Sequence, residues 1–128
     1  MPRILIVDDD PAVRSTLANV IASAGFEVLA ADGGKQAMDL LRDNEVDLTI
    51  IDIFMPGVDG MEFIIRVRRQ SPDAKIIAIS GGGEFNMQNV LDIADVVGAE
   101  RTLSKPFGPD DLLRAVREVL GLPESAPP

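Results

Sequence analysis

Short apolar runs alternate with longer amphipathic stretches along the chain. Ile4 to Val7 is a continuous β-branched and leucine run, the pattern of a strand buried on both faces. Asp10-Pro11 follows, an N-cap residue and then proline at the first helical position. Val13, Leu17, Val20 and Ile21 recur at helical spacing, and Gly25 stops that helix. Phe26 to Ala30 reads as a second strand, and Ala37, Leu40 and Leu41 mark a second helix from Gly34 to Asp43. Asp47 to Ile51 is a third strand that ends at Asp52. Met55-Pro56-Gly57 and Asp59-Gly60 are turn signals before a helix from Met61 to Gln70, with Phe63, Ile64 and Val67 inward. Lys75 to Ile79 is a fourth strand, ending at Ser80, and Gly81-Gly82-Gly83 opens a loop before a helix near Phe85 to Val97. A short strand around Arg101 to Leu103 and the loop Lys105-Pro106-Phe107 lead to a last helix, Asp110 to Leu120, with Leu112, Leu113, Val116 and Leu120 on one face.

Strand and helix therefore alternate throughout. Apolar strands between amphipathic helices imply a parallel sheet covered on both faces and joined by right-handed crossovers, an α/β fold of (βα)5 type. The 128 residues fit one domain, placed at 1–121, with a short Pro- and Ser-containing tail over 122–128 that is expected to fray.

Composition narrows the chemistry. With no cysteine there is no disulfide, thiolate metal site or cysteine nucleophile. With no histidine, the commonest general base and zinc ligand are missing, and the chain cannot itself be a phosphohistidine donor. Carboxylates, hydroxyls, lysine and backbone remain. The net charge of -9 disfavours direct contact with nucleic acid or an anionic membrane, both polyanions held by Lys and Arg. The apolar run near the N-terminus is too short for a signal peptide or a span, so a cytoplasmic location is expected.

Open α/β sheets bind ligands at the carboxyl ends of their strands, beside a topological switch point. Asp8, Asp9 and Asp10 follow the first strand, Asp52 the third, Ser80 the fourth and Lys105 the fifth. Carboxylates gathered there repel one another by roughly 4 kcal/mol per close contact at an effective dielectric near 20. A hard divalent cation with oxygen ligands offsets that repulsion, and Lys105 adds a further positive charge. Asp10 reads mainly as a helix cap, Asp59-Gly60 as turn chemistry and Asp32 as a surface or cap residue. The triple glycine lacks the spacing of a nucleotide-binding loop and is instead expected to be the main mobile element.

Four motifs in order carry a family resemblance: Ile4-Leu5-Ile6-Val7-Asp8-Asp9-Asp10-Pro11, Asp52 through Gly60, Ile79-Ser80-Gly81, and Ser104-Lys105-Pro106-Phe107. Together they resemble the receiver domain of two-component response regulators, in its single-domain, chemotaxis-regulator-like form, from about Arg3 to Leu120. The resemblance implies a doubly wound, flavodoxin-like sheet in the order 2-1-3-4-5. It implies that Asp52 accepts a phosphoryl group, that Asp9 and Asp52 bind Mg²⁺ (or Mn²⁺) with Asp8 helping through water, and that the Phe54 carbonyl is a further ligand. Ser80 then closes onto the phosphoryl group, Lys105 bridges to it, and the Lys105-Pro106 bond is cis. The implied partners are a histidine kinase or histidine phosphotransfer protein and an unknown downstream protein, with the chain a monomer or a weak phosphorylation-dependent dimer.

Three positions depart from the family pattern. Thr102 stands where an aromatic residue is usual, Ser80 replaces the more frequent threonine, and Gly81 stands where alanine is common. Thr102 keeps open a receiver-like interaction module that takes no phosphate. A receiver fragment of a larger regulator is the other alternative. An aspartyl-phosphate phosphohydrolase would need a second acid where Phe54 stands, so the chain is not expected to be an enzyme beyond its own phosphotransfer and slow dephosphorylation.

Overall fold

The computed structural model describes residues 2–52, 60–80, 99–104 and 107–122, and of residues 60, 61, 80 and 104 the backbone only. In chain order the elements are β1 (Arg3–Val7), α1 (Pro11–Ser23), β2 (Glu27–Ala31), α2 (Gly34–Asp43), β3 (Leu48–Asp52), α3 (Gly60–Gln70), β4 (Ile76–Ser80), β5 (Arg101–Ser104) and α4 (Pro109–Leu120). The helix expected near Phe85 to Val97, the Gly81–Gly83 loop and the tail beyond Leu122 lie outside the described residues. The strands form one parallel sheet in the order β2-β1-β3-β4-β5.

Alternation along the central strands builds two cores, one on each side of the sheet. Ile4 and Ile6 of β1, Leu48 and Ile50 of β3 and Ile77 and Ile79 of β4 meet Leu17 and Ile21 of α1 and Leu112, Ala115 and Val116 of α4. The intervening residues Leu5, Val7, Ile51, Ile76 and Ala78 meet Ala37 of α2 and Phe63, Ile64 and Val67 of α3. A single-residue register slip would exchange every one of these contacts, so the pattern fixes the pairing. Each fully buried Ile, Leu or Phe contributes about 1.5–3 kcal/mol.

Local chemistry sets the ends. Asp10 caps α1 through its side chain, accepting from the Ala12 and Val13 amides at 2.9 and 3.4 Å, with Pro11 at the first position. Gly25, at φ 96°, takes the left-handed turn that ends the helix. Gly121 does the same after α4 at φ 71°. β2 begins at Glu27, one residue later than the apolar pattern suggests. Phe26 packs into the core beside α1, while Glu27 pairs with Arg3 through both register and a 2.9 Å ion pair. β3 likewise starts at Leu48. Asp47 accepts from the Arg3 amide with its carboxylate at 2.8 Å and donates its own amide to the Arg3 carbonyl at 2.8 Å. At the opposite end of the sheet from Asp52, Arg68 joins α3 to the turn before β4 and to Glu100, whose carboxylate also accepts from the Ile76 amide at 3.3 Å.

Phe63→Ala should lower the unfolding free energy by about 3–5 kcal/mol, whereas Ile65→Ala, on the exposed face of the same helix, should cost less than about 0.5 kcal/mol. Urea unfolding followed by far-ultraviolet circular dichroism measures both. Equal losses would contradict this packing.

Candidate functional site

The sheet order places the switch point between β1 and β3: the chain leaves β1 toward β2 on one side and returns to build β3, β4 and β5 on the other. Val7 pairs with Ile51 in the β1–β3 register, so the next residues, Asp8 and Asp52, stand beside one another at the carboxyl edge. Both keep the parity of the strands that carry them. The apolar strands hold them in place and also bury them, to 1% and 8% exposure, while Asp9 on the following turn is exposed.

The backbone of the β1–α1 turn is tightly determined. The Asp8 amide donates to the Ala31 carbonyl at the end of β2, 3.1 Å away. Asp8 Oδ1 accepts from the Asp10 amide at 2.9 Å, and the Asp8 carbonyl accepts from an Arg14 guanidinium nitrogen at 2.8 Å. Within this frame one carboxylate oxygen from each of Asp8, Asp9 and Asp52 lies within 4.8 Å of the others. Carboxylate pairs at that spacing repel by about 3 kcal/mol at an effective dielectric near 20. The donors are all hard oxygens, with no thiolate or imidazole available anywhere in the chain. Such a set fits Mg²⁺ or Mn²⁺ and disfavours zinc or copper sites built on softer ligands.

Ser80 is the last residue of β4, and its backbone pairs in register with Ser104, the last residue of β5 and the one before Lys105. The strand ends expected to carry the hydroxyl and the lysine thus point to the same edge as Asp8 and Asp52. Phe54, Gly81, Lys105 and Pro106 lie outside the described residues, as does the expected cis bond. Thr102 is half-buried and pairs with Ala78, which places it on the α2/α3 side of the sheet. Asp32 is exposed, and its amide donates to the Gln36 side chain at 2.9 Å, in keeping with a surface position at the start of α2. Arg14 and Ala31 did not stand out in the sequence. The available signal was Arg14's place four residues after the cap, since helical side chains lean toward the N-terminus.

A doubly wound α/β protein with a carboxylate cluster at its switch point is the class that fold and site define. The chain belongs to the response regulator receiver domain family, whose model matches residues 4–117. It is 34% identical over 118 residues to response regulator MprA of Mycobacterium sp. (strain KMS), covering 92% of this chain and 50% of that protein. It is 34% identical over 120 residues to transcriptional regulatory protein CpxR of Escherichia coli (strain K12), covering 94% and 50%. The chain spans about half the length of the curated relatives it matches. The solved chemotaxis protein CheY4 of Vibrio cholerae superposes with a TM-score of 0.85 at 32% identity, covering 94% of this chain and 99% of that one. Response regulator protein TrrA of Thermotoga maritima, solved in complex with Mg(2+)-BeF, gives 0.82 at 32% identity, covering 94% and 100%. Among the described residues, no helix is long and apolar enough to cross a membrane.

Replacing Asp9 by Asn should raise the thermal midpoint of the metal-free protein, because it removes one repelling charge. In saturating Mg²⁺ the order should reverse, since wild type gains about 2.7 kcal/mol at a hundredfold excess over its dissociation constant and the variant gains less. Calorimetric melts in chelator and in Mg²⁺ read both signs. A variant less stable than wild type in chelator would contradict the repulsion.

Proposed function

We propose that this chain is a single-domain response regulator that accepts a phosphoryl group on Asp52 from a phosphohistidine donor and signals through phosphorylation-dependent protein contact. The observation that carries the proposal is the convergence of Asp8, Asp9 and Asp52 at the switch point, their oxygens within 4.8 Å. Asp9, Asp52 and the Phe54 carbonyl would hold Mg²⁺ or Mn²⁺, with Asp8 acting through water. When bound, the ion supplies neutralisation of the carboxylates and of the phosphoryl oxygens. An Asp52 oxygen forms the new bond to phosphorus while the phosphorus–nitrogen bond of the donor breaks, and its electron pair stays on the donor's imidazole. Lys105 bridges to the transferred group and Ser80 donates its hydroxyl to it, which suits a reaction governed by positioning and charge.

The donor is a histidine kinase or histidine phosphotransfer protein, which fits a chain with no histidine of its own. The downstream partner is a protein rather than nucleic acid, in keeping with the net charge of -9. We place the chain in the cytoplasm as a monomer or a weak phosphorylation-dependent dimer. It is not an enzyme toward other substrates, beyond its own phosphotransfer and slow dephosphorylation. Near-complete coverage of the CheY4 and TrrA chains supports the single-domain reading. Half-length coverage of the curated relatives supports a second reading, the receiver part of a longer regulator.

Intact mass after incubation with a small phosphodonor tests the chemistry. One added phosphoryl group is expected in the presence of Mg²⁺, and none in chelator or in Asp52→Ala. No adduct under conditions that label another receiver would overturn the proposal in favour of a phosphate-independent interaction module. The same mass measurement on protein from its source cells separates the single-domain protein from a longer regulator.

A further inference from the structure

We propose that Arg14 is a positioning residue for the acidic site, an inference that rests on reading Asp8, Asp9 and Asp52 as a divalent-cation site. Arg14 is the fourth residue of α1, close to the positive end of the helix dipole, where a cation is electrostatically disfavoured. No acidic residue occupies the first turn, so the arginine has no carboxylate of that turn to neutralise. Instead the half-buried side chain turns back toward the N-terminus, and its guanidinium donates to the Asp8 carbonyl at 2.8 Å.

That contact closes a ring of bonds around Asp9. The Arg14 amide donates to the Asp10 carbonyl at 2.9 Å, the Asp10 amide donates to Asp8 Oδ1 at 2.9 Å, and the Arg14 guanidinium returns to the Asp8 carbonyl. Asp9, the exposed member of the cluster, lies between the two residues so held. Its carboxylate is placed by the backbone on either side. Arg14 therefore orients the Asp8 and Asp9 carboxylates toward a common cation without touching it, as outer contacts do at metal sites.

Charge and position predict opposite signs. A nearby arginine repels a divalent cation, so removing its charge alone would tighten Mg²⁺ binding. Losing the bond to the Asp8 carbonyl would loosen it. The test is a calorimetric Mg²⁺ titration of the unphosphorylated protein, a choice suited to a chain without Trp or Tyr. Metal-free melts serve as the folding control. Arg14→Met is expected to raise the Mg²⁺ dissociation constant about tenfold, the low end for outer-contact losses. Arg14→Lys keeps the charge on a shorter side chain, whose ammonium reaches the Asp8 carbonyl less well, and is expected to weaken binding severalfold. Equal or tighter binding by Arg14→Met would overturn the proposal. Should Arg14→Met fail to fold, unchanged binding by Arg14→Lys would overturn it in the same way. Wild type that binds no Mg²⁺ would overturn the reading of the cluster and this inference with it, a result distinct from either variant's failure.

Discussion

Parallel pairing of β1 with β3 brings two carboxylates together in a place where neither is favourable alone. Asp8 and Asp52 extend strands made of Ile, Leu and Val, and the same alternation that buries those side chains carries the acids to the edge of the core. A buried carboxylate is costly unless something compensates its charge. The pairing register cannot relax to separate them, because a shift of one residue would turn the apolar faces of three central strands to the wrong helices. The hydrophobic cores therefore hold a like-charge cluster in place, and the cluster in turn favours a cation.

The remaining parts arrange themselves around that constraint. Asp10 caps α1 and donates its amide to Asp8, so the start of the helix and the orientation of the first carboxylate are one structure. β2, at the sheet edge, contributes the Ala31 carbonyl that receives the Asp8 amide. Far from the site, Arg68 and Glu100 bind the opposite end of the sheet, where β4 and β5 begin. Stability is thus concentrated in the strands and their two cores, while the carboxyl edge gathers like-charged groups whose proximity a cation would favour. Sites tuned for function commonly show this local conflict with stability.

Much of this was legible in the chain itself. The strand runs, the Asp10-Pro11 start of α1, the stop at Gly25 and the inward set Phe63, Ile64 and Val67 follow from periodicity and capping rules and stand in the structure as expected. Periodicity alone did not give the strand order, which came through family resemblance and is confirmed by the pairing. The starts of β2, β3 and β4 each fall one residue later than read; Phe26 and Asp47 have better uses outside the ladder, in the core and on the Arg3 backbone. Asp8, Asp9 and Asp52 were readable as strand-end acids, and the structure brings them together. Arg14 was not readable in that way, because its partner is a backbone carbonyl and no residue type marks it.

Asp8, Asp9 and Asp52 together make up the divalent-cation site proposed above. Anomalous diffraction from crystals grown with Mn²⁺ tests it most directly. A single strong peak is expected beside the Asp9 and Asp52 carboxylates, with oxygen ligands throughout. Full occupancy by Mn²⁺ elsewhere, with no peak between those carboxylates, would contradict it.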